Sequence, residues 1–290
     1  MGFYACRRDS RPFLKPHQEF MALSYSRGYM LAETATDQDP KSSDSRIRLP
    51  QPRWMVASKY CGDFVIAAVL LVLSLPFIGL AALLVKLTSR GPVLYSQTRF
   101  GLNGREFRIY KIRTMIHNCE HVSGPRWSTP GDPRITRAGQ FLRVTHIDEL
   151  PQLWNVLKGE MSLVGPRPER PEFATSLDAL IPLYSERLIV RPGVTGLAQV
   201  QLPPDSDLEG VRRKLAYDLH YIQQISFWLD LKIVIATGLK VFGARFVTLR
   251  KILGFPDPET VRQAMEQLAM KETALAEDSL PALHYQPAQV

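Results

Sequence analysis

Between Phe64 and Val85 the chain runs for 22 residues without a charge, FVIAAVLLVLSLPFIGLAALLV, with Asp63 before it and Lys86 after it. As an α-helix this stretch would be about 33 Å long, enough to cross the hydrocarbon core of a bilayer. Pro76 lies near its middle, two residues after Ser74. A proline there removes one backbone hydrogen bond and crowds the preceding turn, so a kink or break is expected. Three arrangements stay open: a kinked span across the membrane, a helix–break–helix that re-enters one leaflet, and a buried helix in a soluble core. Arg53 and Lys59 precede the segment, and Lys86 and Arg90 follow it. Basic flanks prefer the cytoplasm, so having them at both ends favours re-entry.

The rest of the chain is built for anions. The formal net charge is +8 over 290 residues, which suggests a phosphorylated substrate, an anionic membrane or nucleic acid as partner. Nucleic acid is the weak member: the basic residues are spread over Pro/Gly loops and no recognition motif is present. Cys6, Cys61 and Cys119 are odd in number and far apart, so a reducing compartment is expected rather than a disulfide framework. His117 and His121 have no carboxylate–His–Cys set around them and read as surface or packing residues. Residues 1–50 show no sustained apolar period and read as a poorly structured extension without a secretory h-region.

After the apolar segment, Val93–Tyr95 reads as a short strand and Gly101–Gly104 as a turn. Phe107–Arg113 alternates apolar and basic residues, a strand whose basic side includes Lys111 and Arg113; strict alternation puts Arg108 opposite Lys111. Two stiff turns follow, Gly165-Pro-Arg-Pro168 and Arg191-Pro-Gly193, each fixing one arginine. Arg suits phosphate because its planar fork meets two oxygens at once, and a stiff loop lowers the entropic cost of holding it ready. Helices are predicted over 207–224 and 226–243, the second opening on Phe227-Trp228, which suits a membrane interface or a packed core equally. One more runs from Pro258 to about Ala276, ahead of a disordered end. No P-loop, GxGxxG or GxSxG occurs. The Asp-x-Asp triplets at Asp37/Asp39 and Asp205/Asp207 lie in polar loops and carry little weight as metal sites.

Amid this basic excess stands one acidic pair, Asp148-Glu149. Leu150, Leu153, Trp154 and Leu157 share one helical face, with Gly159 as a stop. Pro151 is tolerated only in a first turn, so the helix is predicted to start at or just after Asp148, itself a good N-cap. The pair then reads either as a cap with a first-turn Glu, or as a nucleophile and a metal ligand at a phosphate site. A carboxylate can attack phosphorus to form an aspartyl phosphate, and its neighbour can hold Mg²⁺.

The ordered motifs carry a resemblance. Lys59 and Asp63 precede the apolar hairpin with Pro76 at its middle. Then come Val85-Lys-Leu-Thr-Ser-Arg-Gly-Pro92, Phe107–Met115, Arg143, Asp148–Gly159, Met161–Glu169 and Arg191–Gly196. From about Ser58 to Gly243 the chain resembles the bacterial sugar transferases, monotopic phosphoglycosyl transferases that prime glycan assembly on polyprenol phosphate. The resemblance implies an α/β (α+β), mainly helical fold. A poorly structured extension (1–50) would lead into a re-entrant membrane helix–break–helix (51–90), then a compact catalytic domain (91–250) and a tail (251–290). It implies a UDP-sugar, a hexose, as donor, and polyprenol (undecaprenyl) phosphate as acceptor. The place would be the cytoplasmic face of the bacterial inner membrane, and the product would enter exopolysaccharide or other glycan assembly. Asp148 would be the nucleophile and Glu149 the Mg²⁺ ligand. Lys111, Arg113, Arg143, Arg167, Glu169 and Arg191 would bind substrate, and Ser74 and Pro76 would form the membrane break. A homo-oligomer stays open. The chain departs from the family pattern at Tyr60, where Arg is usual, at Leu75, which separates Ser74 from Pro76, and at Leu197, where Trp is usual. The competing reading is a non-catalytic, membrane-tethered binding module with an Arg-rich face.

Overall fold

The apolar segment forms one helix. In the computed structural model, α1 runs from Arg53 to Thr88, 36 residues, with Pro76 inside it. The expected break does not interrupt the helical run. A missing N–H at Pro76 frees one carbonyl, that of Val72, and a helix of this length continues on either side of a single lost bond. Ser74 does not supply the replacement: its hydroxyl donates to the Leu71 carbonyl at 2.9 Å. Asp63, Ala67, Ser74, Ala81 and Val85 are buried and fall on one stripe at helical spacing. Small residues in that stripe let the body approach closely. Phe64, Val65, Leu73, Phe77 and Leu80 are exposed. The helix is long and apolar enough to cross a membrane, and only 17% of its most apolar window is buried. That exposure removes the soluble-core option, since a core helix would be covered.

The structure describes residues 49, 51–119, 124, 128–129, 131–203 and 207–278, all within the unit Asp44–Val290. The N-terminal extension with Asp37 and Asp39, His121, Asp205 and the final residues lie outside them. β1 (Leu94–Phe100) and β2 (Glu106–Ile112) pair antiparallel, Leu94 opposite Ile112. They are joined by a tight turn with Asn103 and Gly104 at positive φ. α2 (Arg137–Val144) is capped by Thr136, which accepts from Gly139 N–H at 2.9 Å. A 3₁₀ turn (Ile147–Glu149) precedes α3 (Gln152–Leu157).

β3 (Ser162–Val164) and β4 (Gly193–Thr195) pair in parallel. This short pair sets the two Pro/Gly turns side by side. The approach requires glycine: a Cβ on Gly193 would come within 2.1 Å of the Gly165 nitrogen. α4 (Pro171–Leu180) and the 3₁₀ stretch Tyr184–Ile189 lie between these strands in sequence. α5 (Leu197–Gln201), α6 (Leu208–Gln223), α7 (Phe227–Val241), α8 (Phe246–Leu253) and α9 (Pro258–Asp278) complete a mainly helical body. Side chains cap two of these helices: Asp207 accepts from Gly210 N–H and Ser226 from Leu229 N–H. Asp207 therefore starts α6.

Leu215, Tyr217, Leu219 and Ile222 of α6 meet Ile233 of α7, Leu249 of α8 and Val261 of α9 in the main core. A smaller core of Ala81, Val85, Ile112 and Leu142 joins α1, β2 and α2. Leu197 sits in the main core at 1% exposure, so the departure from Trp there is absorbed as packing.

Candidate active site

Asp148 and Glu149 lie in a 3₁₀ turn entered from His146, which adopts a left-handed conformation at φ 56°. The α-helical run begins four residues later, at Gln152, with Pro151 as its N-cap. The expected cap role of Asp148 is therefore corrected: its side chain caps nothing. Leu150 and Pro151 nevertheless keep right-handed helical angles, so the backbone is helical in sense from Ile147 onward. The later start rotates the buried face of α3. Leu153 and Val156 are buried, while Trp154, expected inside, is 53% exposed. Asn155 takes an inside position. Its carboxamide accepts from Tyr110 N–H at 3.2 Å and donates to the Arg108 carbonyl at 2.8 Å, pinning α3 to β2.

That pin aligns the pair with the strand. Lys111 points inward and donates to Glu149 Oε1 at 2.7 Å. Arg108, on the other face, is exposed and bonds Ser96. Arg167, held by its two prolines, reaches the same carboxylate with both terminal nitrogens, one to Oε1 and one to Oε2 at 3.2 Å. Burial alone would raise the Glu149 pKa, but Arg167 and Lys111 outweigh it and hold the carboxyl well below its ordinary range.

Asp148 is in the opposite state. Burial, and then the Glu149 charge beside it, push its pKa up to about 6, against the pull of Lys111, Arg143 and Arg167. Its Oδ1 is buried and has no hydrogen-bond partner among the described residues. Arg143, from α2, donates to Thr114 Oγ1 and to Ser128 Oγ, both at 2.9 Å, and its charge is felt by Asp148. Gly139 makes this placement possible: a Cβ there would sit 1.9 Å from the Thr114 carbonyl oxygen.

Five of the expected residues thus converge: Asp148, Glu149, Lys111, Arg143 and Arg167. Three are engaged elsewhere. Arg113 is buried and donates to the Arg90 carbonyl and to Ser89, closing the end of α1. Arg191 stacks on the Tyr60 ring, 4.1 Å from its centroid, and its backbone N–H donates to the Tyr60 hydroxyl. Tyr60, the departure from the usual Arg, therefore serves as a platform for Arg191. Glu169 pairs with Arg99 at 3.6 Å and Lys214 at 3.3 Å. Burial would raise its pKa, but Lys214, Arg187 and Arg99 bring it down to about 2.

Sequence reasoning passed over a second polar knot. Lys59 of α1 contacts Asp63 at 3.1 Å, Asp230 of α7 at 2.8 Å and Ser162 Oγ of β3 at 2.9 Å. The Ser162 hydroxyl also donates to Asp63, and Tyr221 donates to Asp230 at 2.8 Å. A Lys–x₃–Asp spacing just before an apolar run is the signal that could have pointed to it, because it puts both groups on one helical face.

No group of three or more His, Cys, Asp and Glu able to hold a metal occurs among the described residues. Mg²⁺ needs fewer, because it keeps water and takes one or two carboxylates plus substrate phosphates. Glu149 can be that carboxylate: its Oε2 accepts one hydrogen bond, from Arg167, and keeps a lone pair for an ion, so the residues fit Mg²⁺.

An exposed apolar helix of membrane-spanning length is joined in one body to an acidic pair of which one carboxylate is clamped by cations and its neighbour is not. The chain belongs to the bacterial sugar transferase family, whose sequence profile matches residues 54–244. It is 45% identical over 201 residues to a UDP-N-acetylgalactosamine-undecaprenyl-phosphate N-acetylgalactosaminephosphotransferase of Aeromonas hydrophila, covering 68% of this chain and 47% of that protein. It is 40% identical over 194 residues to a UDP-glucose:undecaprenyl-phosphate glucose-1-phosphate transferase of Xanthomonas campestris pv. campestris, covering 66% and 40%. A UDP-glucose:undecaprenyl-phosphate glucose-1-phosphate transferase of Caulobacter vibrioides is 48% identical over 191 residues, covering 65% and 71%. The chain thus spans less than half the length of the first two relatives.

Proposed function

We propose that this protein transfers a sugar 1-phosphate from a UDP-sugar to polyprenol phosphate, giving a polyprenol diphosphate-sugar and UMP. The observation that carries this reading is the divided state of the pair. Glu149 is clamped by Lys111 and Arg167, while Asp148 is buried beside it with an oxygen that no described residue engages. A binding module has no use for such a carboxylate, whereas a nucleophile needs a free oxygen.

Asp148 Oδ1 attacks the β-phosphorus of the UDP-sugar. The bond from that phosphorus to the bridging oxygen breaks, and UMP leaves with the oxygen. An oxygen of polyprenol phosphate then attacks the same phosphorus and displaces Asp148, which regains its carboxylate. Arg143, Lys111 and Arg167 hold the diphosphate in line and offset the charge that grows on the leaving UMP. Mg²⁺, with Glu149 as its protein ligand, would supply further charge neutralisation at the diphosphate. The relatives are named for glucose and N-acetylgalactosamine, so a hexose or hexosamine donor is proposed. The product would open exopolysaccharide or other glycan assembly.

Re-entry of α1 into one leaflet, with the body on the cytoplasmic face of the inner membrane, belongs to the same proposal. What supports it is that both helix ends are tied to one body: Lys59 to Ser162 and Asp230 near the start, Arg113 to Ser89 and Arg90 at the finish.

The test is intact-mass analysis of the purified chain after incubation with a UDP-sugar and Mg²⁺. A phosphosugar adduct and UMP release are expected from the wild type, and neither from Asp148→Asn. Turnover of the Asn variant at the wild-type rate would sink the covalent mechanism.

A further inference from the structure

A cavity of about 690 Å³ lies between α1 and α7. Leu70, Leu73 and Phe77 line it from α1, and Leu231 and Val234 from α7. At one place this apolar lining gives way to His146, Glu149 and Lys240. The Lys59–Asp63–Asp230 knot also touches the cavity, but its charges are already engaged with one another. Leu70, Leu73 and Phe77 are themselves exposed on α1, so the cavity opens along the face that would meet hydrocarbon.

Lys240 is not part of the clamp on Glu149. Its ammonium donates to the Gln199 carbonyl at 2.7 Å and lies 5.0 Å from the centre of the Phe246 ring. Among the described residues, none pairs with it as a carboxylate partner at ion-pair distance. An ammonium carries three donors, so it can take a phosphate oxygen while keeping Gln199. Neither Asp148 nor Arg143 lines the cavity, whereas Glu149 does. The acidic pair therefore stands between the Arg143 side, where cations await a diphosphate, and an apolar groove with one lysine at its polar end.

We propose that the α1–α7 groove takes the isoprenoid chain of a single-chain lipid phosphate, with Lys240 holding its phosphate next to Glu149. The inference rests on the transferase reading and gives its acceptor a path: chain along Leu70, Leu73 and Val234, phosphate on Lys240. The apolar walls match a hydrocarbon chain, the opening along α1 allows entry from the lipid phase, and the lysine complements the single anionic end. The volume falls within the roughly 300–1,000 Å³ typical of small-ligand sites.

The experiment uses the full chain in detergent micelles, with undecaprenyl phosphate and farnesyl phosphate as acceptors. Lys240→Gln is expected to raise the KM for either acceptor about tenfold, and to change adduct formation from donor alone far less. Leu73→Trp and Val234→Trp place bulk in the groove at exposed positions that leave the core alone. They are expected to lower turnover of undecaprenyl phosphate about tenfold and that of farnesyl phosphate much less. An unchanged acceptor KM in Lys240→Gln, or equal effects of the Trp variants on both acceptors, overturns the proposal. A wild type that forms no adduct refutes the transferase reading instead, so the two failures are distinguishable.

Discussion

Asp148 is held at a cost that its neighbours do not remove. Its pKa rises from an ordinary 3.8 to about 6, mainly because burial disfavours the charge. That rise corresponds to roughly 3 kcal/mol against the ionised form, at about 1.4 kcal/mol per pH unit. The sign follows from linkage: above about pH 6 the folded protein carries the full cost, and below about pH 4 both states hold the proton and the cost is gone. Asp148→Asn is therefore expected to be more stable than the wild type at pH 7 to 8 by on the order of 1–3 kcal/mol. The gain should fade as pH falls from 6 to 4. Thermal unfolding across that range checks it, and a variant less stable than wild type at pH 8 would contradict it. Much at this scale was legible in the sequence, because rigid neighbours leave few choices: Arg167 sits between two prolines, and Lys111 follows strict strand alternation. Arg113, Glu169 and Arg191 also lie in family motifs. Which way each points was decided by Ser89, Lys214 and Tyr60, residues distant in sequence that no local pattern connects to them.

Elements meet in this protein at close contacts and buried charges. α2 lies against the Thr114 carbonyl through Gly139, where an added Cβ would come within 1.9 Å. Gly139→Ala is expected to push α2 outward at about 1–3 kcal/mol. It should also pull Arg143 off Thr114, so donor KM rises along with the loss of stability. A variant that loses stability but keeps its donor KM would separate Arg143 from donor binding. The Lys59 knot behaves differently, since removing one member strands the others. Asp230→Ala leaves Lys59 with Asp63 as its one carboxylate and Tyr221 without one, so a loss of about 3–5 kcal/mol is expected. Lys59→Met combined with Asp230→Leu should cost less than the sum of the two single changes, which a double-mutant cycle in detergent can measure. Element types were readable, and so was the start of α7 at Ser226, whose side chain can accept a backbone N–H. The phase of α3 was not. Pro151 permits either a helix from Asp148 or a 3₁₀ turn followed by one, and the choice moves Trp154 from inside to outside.

For the whole molecule, the decisive geometry is that α1 lies along the body rather than standing away from it. At 1.5 Å per residue a 36-residue helix is about 54 Å long, well beyond a hydrocarbon core of about 30 Å. Its buried stripe runs from Asp63 to Val85, and both of its ends bind polar groups of the same body. If α1 crossed the bilayer, either Lys59 with Ser162 and Asp230 or Arg113 with Ser89 would have to be carried through hydrocarbon along with the charged surface around it. Buried ions without water cost several kcal/mol each even when paired. Re-entry, as proposed, avoids that cost, and the apolar side chains exposed on α1 and at Phe227 and Trp228 of α7 are the ones it would give to lipid. The flanking charges already favoured this topology from sequence, but only the contacts at both ends of α1 give it a physical reason. With the native cysteines replaced by serine, Ser58→Cys and Thr88→Cys, both at exposed positions, should each react with a membrane-impermeant maleimide in inside-out vesicles. Neither should react in sealed spheroplasts. Labelling of Ser58→Cys from one side and Thr88→Cys from the other would establish a span, and would require the body to release one end of α1.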